Sequence, residues 1–448
     1  MENKNLINRR DFLKAAGATS AALAFAASFG TAAALPSTAE ARSYGANATQ
    51  LVRSKIMLNC NMKSVSMGKL IYVKGSTFKS AVDIIDGLTD EQFAIAANAC
   101  PGYNGIKTKP ADKSALKQYA FDCNETQALA IDSVNKRMYV VKATDSDNLH
   151  GVSAIFSAPL SATSQGQFKL VVAFGDDWMG TSSPKGGTCW TGHANGCCCI
   201  PDGAGTRLYI PTSNDDDNSI RTIYIPDAAA VDAANYDPAN FLNWGKLGSW
   251  KCSFTPRGIT YDASSKKFIA RNGRSYASGA AYCTCYVFSA PTNDPSALDV
   301  TVNYVSKFRV ELPDSIYIPK GVFSSSKETF NAGKSSGRGK QDIAYHAGYL
   351  YLPVSDQSDK RYKKSAGNYR TNRNVILRFR IGSVANAIAN GNTLYRANKS
   401  LVDASATLQL SKQGYEIEGV DFYGNTLYFN TNESSSSIST SDRVRALM

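Results

Sequence analysis

The residues of this chain best suited to chemistry are carboxylates, amides and one guanidinium that recur at matching places in a repeated pattern. They are Gln127, Cys197, Arg257, Gln341 and Glu418, with Asp342 and Glu416 beside the last two. Each opens a short run of alternating apolar residues, followed by a tight turn and a second alternating run. The clearest copy is Glu416 to Asn430, read E-I-E-G-V-D-F-Y-G-N-T-L-Y-F-N; the others are Gln127 to Val141, Cys197 to Ile210, Arg257 to Ala270 and Gln341 to Leu352. Amide, guanidinium and carboxylate groups gathered in a ring can hydrogen-bond a sugar or an ion, or equally one another and ordered water. Two carboxylates facing each other across a bond would instead serve glycoside cleavage, one as acid and one as base or nucleophile. Glu418 or Glu416 opposite Asp342, Asp262 or Asp132 are the pairs available, although Asp132 and Asp262 precede turns, where Asp is common for local reasons.

A second cluster, Cys189-Trp-Thr-Gly-His193-Ala-Asn-Gly-Cys197-Cys198-Cys199, has side chains that suit a soft or borderline metal. Cys189, His193 and Cys197 are the metal candidates. The spacing lacks a C-x₂-C pair, and alternation on a strand puts Cys197 and Cys199 on one face with Cys198 on the other. Disulfides to Cys189 or Cys252 are the competing reading, and Cys283 and Cys285 are further candidates for pairing. No cofactor is required by any motif. A nucleophile elbow, a phosphate-binding loop and a dinucleotide fingerprint are all absent from the sequence, and three histidines give no basis for a Ser-His-Asp triad.

Alternation with period two across a Gly, Asn or Asp turn is the mark of a β-hairpin. Five such hairpins start at 127, 197, 257, 341 and 418, spaced 70, 60, 84 and 77 residues apart, and they are read as five copies of one unit. The 23 Tyr and 19 Phe favour strands. Ser153 to Pro159 and Phe168 to Phe174 complete a first four-stranded unit. Arg221 to Ile225 and Ser249 to Phe254 complete the second, after a helix at Pro238 to Leu247; Cys283 to Phe288 and Val302 to Val310 complete the third; Val375 to Ile381 and Thr407 to Leu410 the fourth. Four strands per unit make the blade of a β-propeller, with an irregular β-sandwich as the alternative. The fifth unit retains only Arg443 to Met448 after its hairpin, so its fourth strand is expected from elsewhere, either Ile56 to Met62 or Lys69 to Lys74, which would join the two termini in one sheet and close the ring. Thr89 caps a helix running to Ala99, and a short helix is expected near 112–120.

The amino terminus carries Asn8-Arg9-Arg10-Asp11-Phe12-Leu13-Lys14, a modestly apolar run to Leu35 and Ala39-Glu40-Ala41. This resembles a twin-arginine export signal, which implies export of an already folded chain. The expected division is a signal at 1–41, a linker at 42–55 and one propeller domain at 56–448. The chain is therefore expected outside the cytoplasm, with no membrane span. The formal charge is +12, and removal of Met1–Ala41, which holds four basic and three acidic residues, leaves +11. Such a charge attracts polyanions at a cell surface and also aids solubility. The densest basic stretch is Lys360 to Arg373, interleaved with aromatics. The expected partners are wall or surface polyanions or glycans, with no nucleic acid, and the chain is expected to be a monomer.

The closing segment E-I-E-G-V-D-F-Y-G-N-T-L-Y-F, with K-Q-D-I-A-Y-H-A-G-Y-L-Y-L before it, is similar to the repeats of helveticin J-like proteins, exported relatives of large bacteriocins. The resemblance covers the last third of the chain, and the remainder only by repeat pattern. It implies a propeller that engages a bacterial surface and inhibits related cells. The twin-arginine signal and the ten cysteines depart from that pattern. Together these readings give an exported binder of anionic or glycan polymers whose axial site uses Gln127, Arg257, Gln341, Asp342 and Glu418. The alternative is a glycan hydrolase or lyase working through Glu418 and an opposing Asp.

Overall fold

The computed structural model describes residues 54–59, 65–66, 70–74, 77–80, 85–99, 108–117, 120–121, 125–143, 153–162, 167–174, 191–213, 218–227, 246–277, 280–312, 316–318, 328–330, 341–356, 373–396, 402–403, 416–432 and 443–447. The chain divides into two compact units, Met1–Arg42 and Ser43–Met448, and everything described belongs to the second.

Each of the five sequence hairpins is an antiparallel pair: Glu125–Asp132 with Arg137–Ala143, Cys198–Asp202 with Gly205–Pro211, Gly258–Asp262 with Lys267–Ala277, Ala344–His346 with Tyr349–Asp356, and Glu416–Tyr423 with Thr426–Asn432. Their third strands are Ser153–Pro159, Ser219–Ile225, Ala280–Phe288, Arg373–Arg380 and Arg443–Leu447. The result is an all-β propeller of five blades, numbered here in chain order. The alternation explains the packing: in the second blade, alternate residues Leu208 and Ile210 pack toward the first blade, while Tyr209 packs toward the third. Glycine at 424 takes φ +56°, a left-handed conformation open to glycine without cost, and so lets the last hairpin turn in two residues.

The fourth strands differ from expectation in informative ways. Ser54–Asn59 pairs antiparallel with Arg443–Leu447 and so adds a fourth strand to the fifth sheet. This is the first of the two segments considered, beginning two residues inside the expected linker. The other, Leu70–Lys74, instead pairs parallel with Lys169–Phe174 of the first blade. Val302 does not belong to the third blade as expected: Val300–Val302 runs parallel to Gly248–Cys252 on the second, and Tyr304–Leu312 takes the fourth place of the third. The fourth blade takes Val402–Asp403 there, and the expected strand at 407–410 lies outside the described residues. Of the expected helix at 238–247, residues 238–245 are likewise outside, and Lys246 and Leu247 are not helical. The helix Asp90–Ala99 forms as read, with Thr89 Oγ1 accepting from the Gln92 amide at 3.2 Å and Gln92 Oε1 accepting from the Thr89 amide at 3.0 Å, a reciprocal cap. The second short helix is Lys113–Lys117.

Hydrogen bonds join the first and second strands of neighbouring blades around the axis. The Asp421 carboxylate of blade five accepts from the Ile131 amide of blade one at 2.7 Å. Asn430 of the fifth blade donates to the Ala128 carbonyl at 3.1 Å. Tyr139 of blade one donates to Thr206 of blade two at 2.9 Å, and the Tyr345 amide of blade four donates to Thr260 of blade three at 3.0 Å.

Candidate functional site

The residues placed on the axis by register are brought together at one end of the ring, where the first strand of each blade begins. They do not stand as five equal spokes. Gln127 sits at a break in register between Thr126 and Ala128, and Glu418 at a second break between Ile417 and Val420. Such bulges twist a strand and re-aim a side chain, and these two lie on adjacent blades. A third break, between Arg271 and Arg274, falls on the second strand of blade three, where a Cβ on Gly273 would lie 3.2 Å from Arg257 Nε. None of the three bulges was read from the sequence; the glycines at 419 and 273 were the available signals.

Asp342 has the most constrained position. It is fully buried, and its carboxylate accepts from the amides of Ile343 at 2.8 Å, Ile259 at 3.2 Å and Cys197 at 3.3 Å. One side chain of blade four thus binds backbone of blades two and three. The approach is close enough that a Cβ on Gly196 would meet Asp342 Oδ1 at 2.5 Å and Gly258 Cα at 2.8 Å. Burial raises the Asp342 carboxyl well above the usual carboxylate range, against the pull of its three amide donors. Asp421, missed in the sequence, plays the same part between blades five and one: it accepts from Ile131 and, at 2.8 Å, from its own neighbour Phe422, and burial pushes it up to about 7. Its position within an apolar alternating run was the sequence signal for it.

Gln341 and Glu416 meet at the mouth, the amide Nε2 donating to Glu416 Oε1 at 2.5 Å. The other end of that amide, Oε1, is buried and receives no hydrogen bond among the described residues. Arg257, half-buried, donates to the Ser213 carbonyl at 3.0 Å. Gln127 and Glu418 are buried beneath. The Asp342 amide donates to the Glu418 carbonyl at 3.1 Å, so these two residues lie side by side on neighbouring strands rather than across a gap. Asp132 and Asp262 lie at the other end of their strands, engaged by turn residues: Val134 and Asn135 amides at 2.9 Å in one case, Ser264 and Ser265 in the other.

The three consecutive cysteines divide as alternation requires. Cys197 and Cys199 pack against the hydrophobic cluster between blades one and two, Cys198 against that between blades two and three. No disulfide is formed among the described residues: Cys252, Cys283 and Cys285, considered for pairing, are buried, Cys252 in the cluster between blades two and three and Cys285 opposite Arg271. Burial also raises the Cys197, Cys198 and Cys199 thiols well above the ordinary value. Cys189, one of the three metal candidates with His193 and Cys197, lies outside the described residues, and among those described no three metal-ligating side chains converge.

The fold and this cluster define a class: an exported five-bladed β-propeller with a polar mouth. Export rests on a match of residues 6–26 to the twin-arginine translocation pathway signal sequence. Among the described residues no helix is long and apolar enough to cross a membrane. In structure the chain is similar to a GH43 endo-arabinanase from Bacillus licheniformis (TM-score 0.32, 11% identity, 72% of this chain and 93% of that one). It is also similar to an arabinanase from Bacillus subtilis (TM-score 0.30, 10% identity, 72% and 94%) and to an exo-beta-1,3-galactanase from Phanerochaete chrysosporium (TM-score 0.34, 12% identity, 71% and 60%). Similarity at this level carries no correspondence of site residues. No curated protein matches the chain in sequence.

Proposed function

We propose that this protein is an exported glycan-binding propeller that holds anionic or hydroxyl-rich polymers at the mouth of its axis. The observation that carries the reading is the Gln341 amide. Its nitrogen is committed to Glu416 while its buried oxygen has no donor among the described residues. A buried acceptor left unpaired costs about 1–3 kcal/mol, which a ligand hydroxyl would recover. Arg257 at the same rim supplies a cation for a carboxylate or phosphate, and Glu416 a further acceptor for sugar hydroxyls. Gln127 and Glu418 shape the floor from their bulges, and Asp342 serves by holding the strands. Cleavage through Glu418 and an opposing Asp is less well supported, because the Asp342 carboxylate is occupied by three amides and Asp132 and Asp262 belong to turns. A bacteriocin-like action on related cells, implied by the helveticin J-like repeats, would follow from binding a wall polymer. Residues 360–372 of the basic stretch lie outside the described residues, and no part of the proposed site uses them.

The test incubates the mature protein with purified wall polysaccharide and measures both retained protein and soluble product. Retention without product, lost in Arg257→Ala and weakened in Gln341→Ala, supports binding. Product formation abolished by Glu418→Gln would replace this reading with the hydrolase.

A further inference from the structure

Away from the axis, the third blade carries a cavity of about 300 Å³ on its outer half, at the lower end of the range of small-molecule sites. It is lined by Tyr282, Thr284 and Tyr286 from one strand, Lys307 and Arg309 from the next, and Asn392. Strand register explains the grouping: Tyr286 lies opposite Lys307, Thr284 opposite Arg309 and Tyr282 opposite Glu311, so aromatic and cationic residues alternate across one face. The far wall comes from the segment after Arg373–Arg380. It is strapped on by Asn392 N donating to the Lys307 carbonyl at 2.7 Å and Arg309 N donating to the Thr393 carbonyl at 2.8 Å.

The charge of this face is one-sided. Its acidic member, Glu311, is paired with Arg396 at 3.1 Å, whereas Lys307 and Arg309 have no carboxylate partner among the described residues. The Arg309 guanidinium lies over the Tyr282 ring at 5.3 Å and donates to the Asn392 carbonyl at 3.3 Å, which fixes its plane and leaves further N–H groups for a ligand. Tyr286 is held by stacking on Phe254 at 3.9 Å, and Tyr304, 41% exposed, meets it edge-on at 5.0 Å. Fixed aromatic rings, two cations and a half-buried Thr hydroxyl form a preorganised set.

We propose that this cavity is a second binding site, for one or two residues of an anionic saccharide. An acidic group would lie on Lys307 and Arg309, and sugar rings would lie against Tyr282 and Tyr286. The choice of ligand class rests on the axial reading, but the two sites share no residue. The shared chemistry is an acidic oxygen on a hydroxyl-rich backbone, whether a uronic acid or a polyol phosphate. Calorimetric titration of the full exported chain with trigalacturonate, a glycerol-phosphate trimer and a neutral xylotriose tests it. At least one acidic trimer should bind, more tightly than the neutral one. Lys307→Ala and Arg309→Gln, both at the surface, should each weaken that binding about tenfold or more while the melting temperature stays unchanged. In Arg257→Ala the part of trimer binding that depends on Lys307 and Arg309 should persist, whatever the change does to axial binding and to retention on long polymer. Absence of binding by both acidic trimers, indifference to Lys307→Ala and Arg309→Gln, or loss of the Lys307-dependent part of the binding in Arg257→Ala would each overturn the proposal.

Discussion

Replacing Asp421 by Asn should change how the stability of the propeller depends on pH. In the folded chain its carboxyl is pushed up to about 7, from the ordinary value of about 4, by burial between blades five and one. Between those values the folded state holds a proton that the unfolded state has lost. Stability from this group is therefore full below about pH 4 and declines as pH rises through about 7. The slope is about 1.4 kcal/mol per pH unit, and the whole span amounts to about 4 kcal/mol, an upper figure because the side chain keeps partial solvent contact. Asn keeps one carbonyl oxygen for the Ile131 or Phe422 amide but cannot titrate. Urea unfolding of the wild type and Asp421→Asn at half-unit steps from pH 4.5 to 7.5 should show a shallower decline in the variant, the difference reaching about 2–4 kcal/mol at the upper end. Asp342, also raised by burial, leaves a residual decline in both proteins. Parallel curves for the two proteins would refute the account of Asp421 as a protonated bridge.

Four further outcomes are expected. Deleting residues through Asn59 should leave Arg443–Leu447 as an open edge, lowering the melting temperature by on the order of 5 °C and promoting aggregation, if that pairing holds the ring shut as we propose; an unchanged melting curve and light-scattering trace would show that it does not. Gly196→Ala should cost about 1–3 kcal/mol in urea unfolding, because the new methyl would meet Asp342 and Gly258. Gly203→Ala, with nothing within 4 Å, should cost only the strain of its φ of +62°, about 1–2 kcal/mol. Thiol titration at pH 8 should find Cys197, Cys198 and Cys285 unreactive until denaturant is added, since burial keeps each protonated; rapid labelling of any of these three in the native protein would contradict their packing.

Much of the architecture was legible because it is local. The alternation in E-I-E-G-V-D-F-Y and its four echoes specifies strands, faces and turns over a few residues, and the opposed faces of Cys197 and Cys198 follow from the same period of two. The reciprocal cap at Thr89 and Gln92 is equally local. The site was less legible. Register placed Gln127, Arg257, Gln341 and Glu418 at one end, but the bulges that re-aim two of them depend on how blades five and one meet. Asp342 looked like a ligand-facing carboxylate, and its role changed once amides of three strands converged on it.

The sequence alone determined the export signal, the five-fold repetition and the pattern of inward and outward residues, since each is written in the spacing of residue types along the chain. Tertiary structure decided which distant segments complete each sheet and which polar groups spend their hydrogen bonds on the protein itself. Those outcomes depend on contacts between residues as far apart as Ala128 and Asn430. A donor or acceptor is available to a ligand only after every closer backbone group has made its claim, and that order is set by distances no linear pattern records.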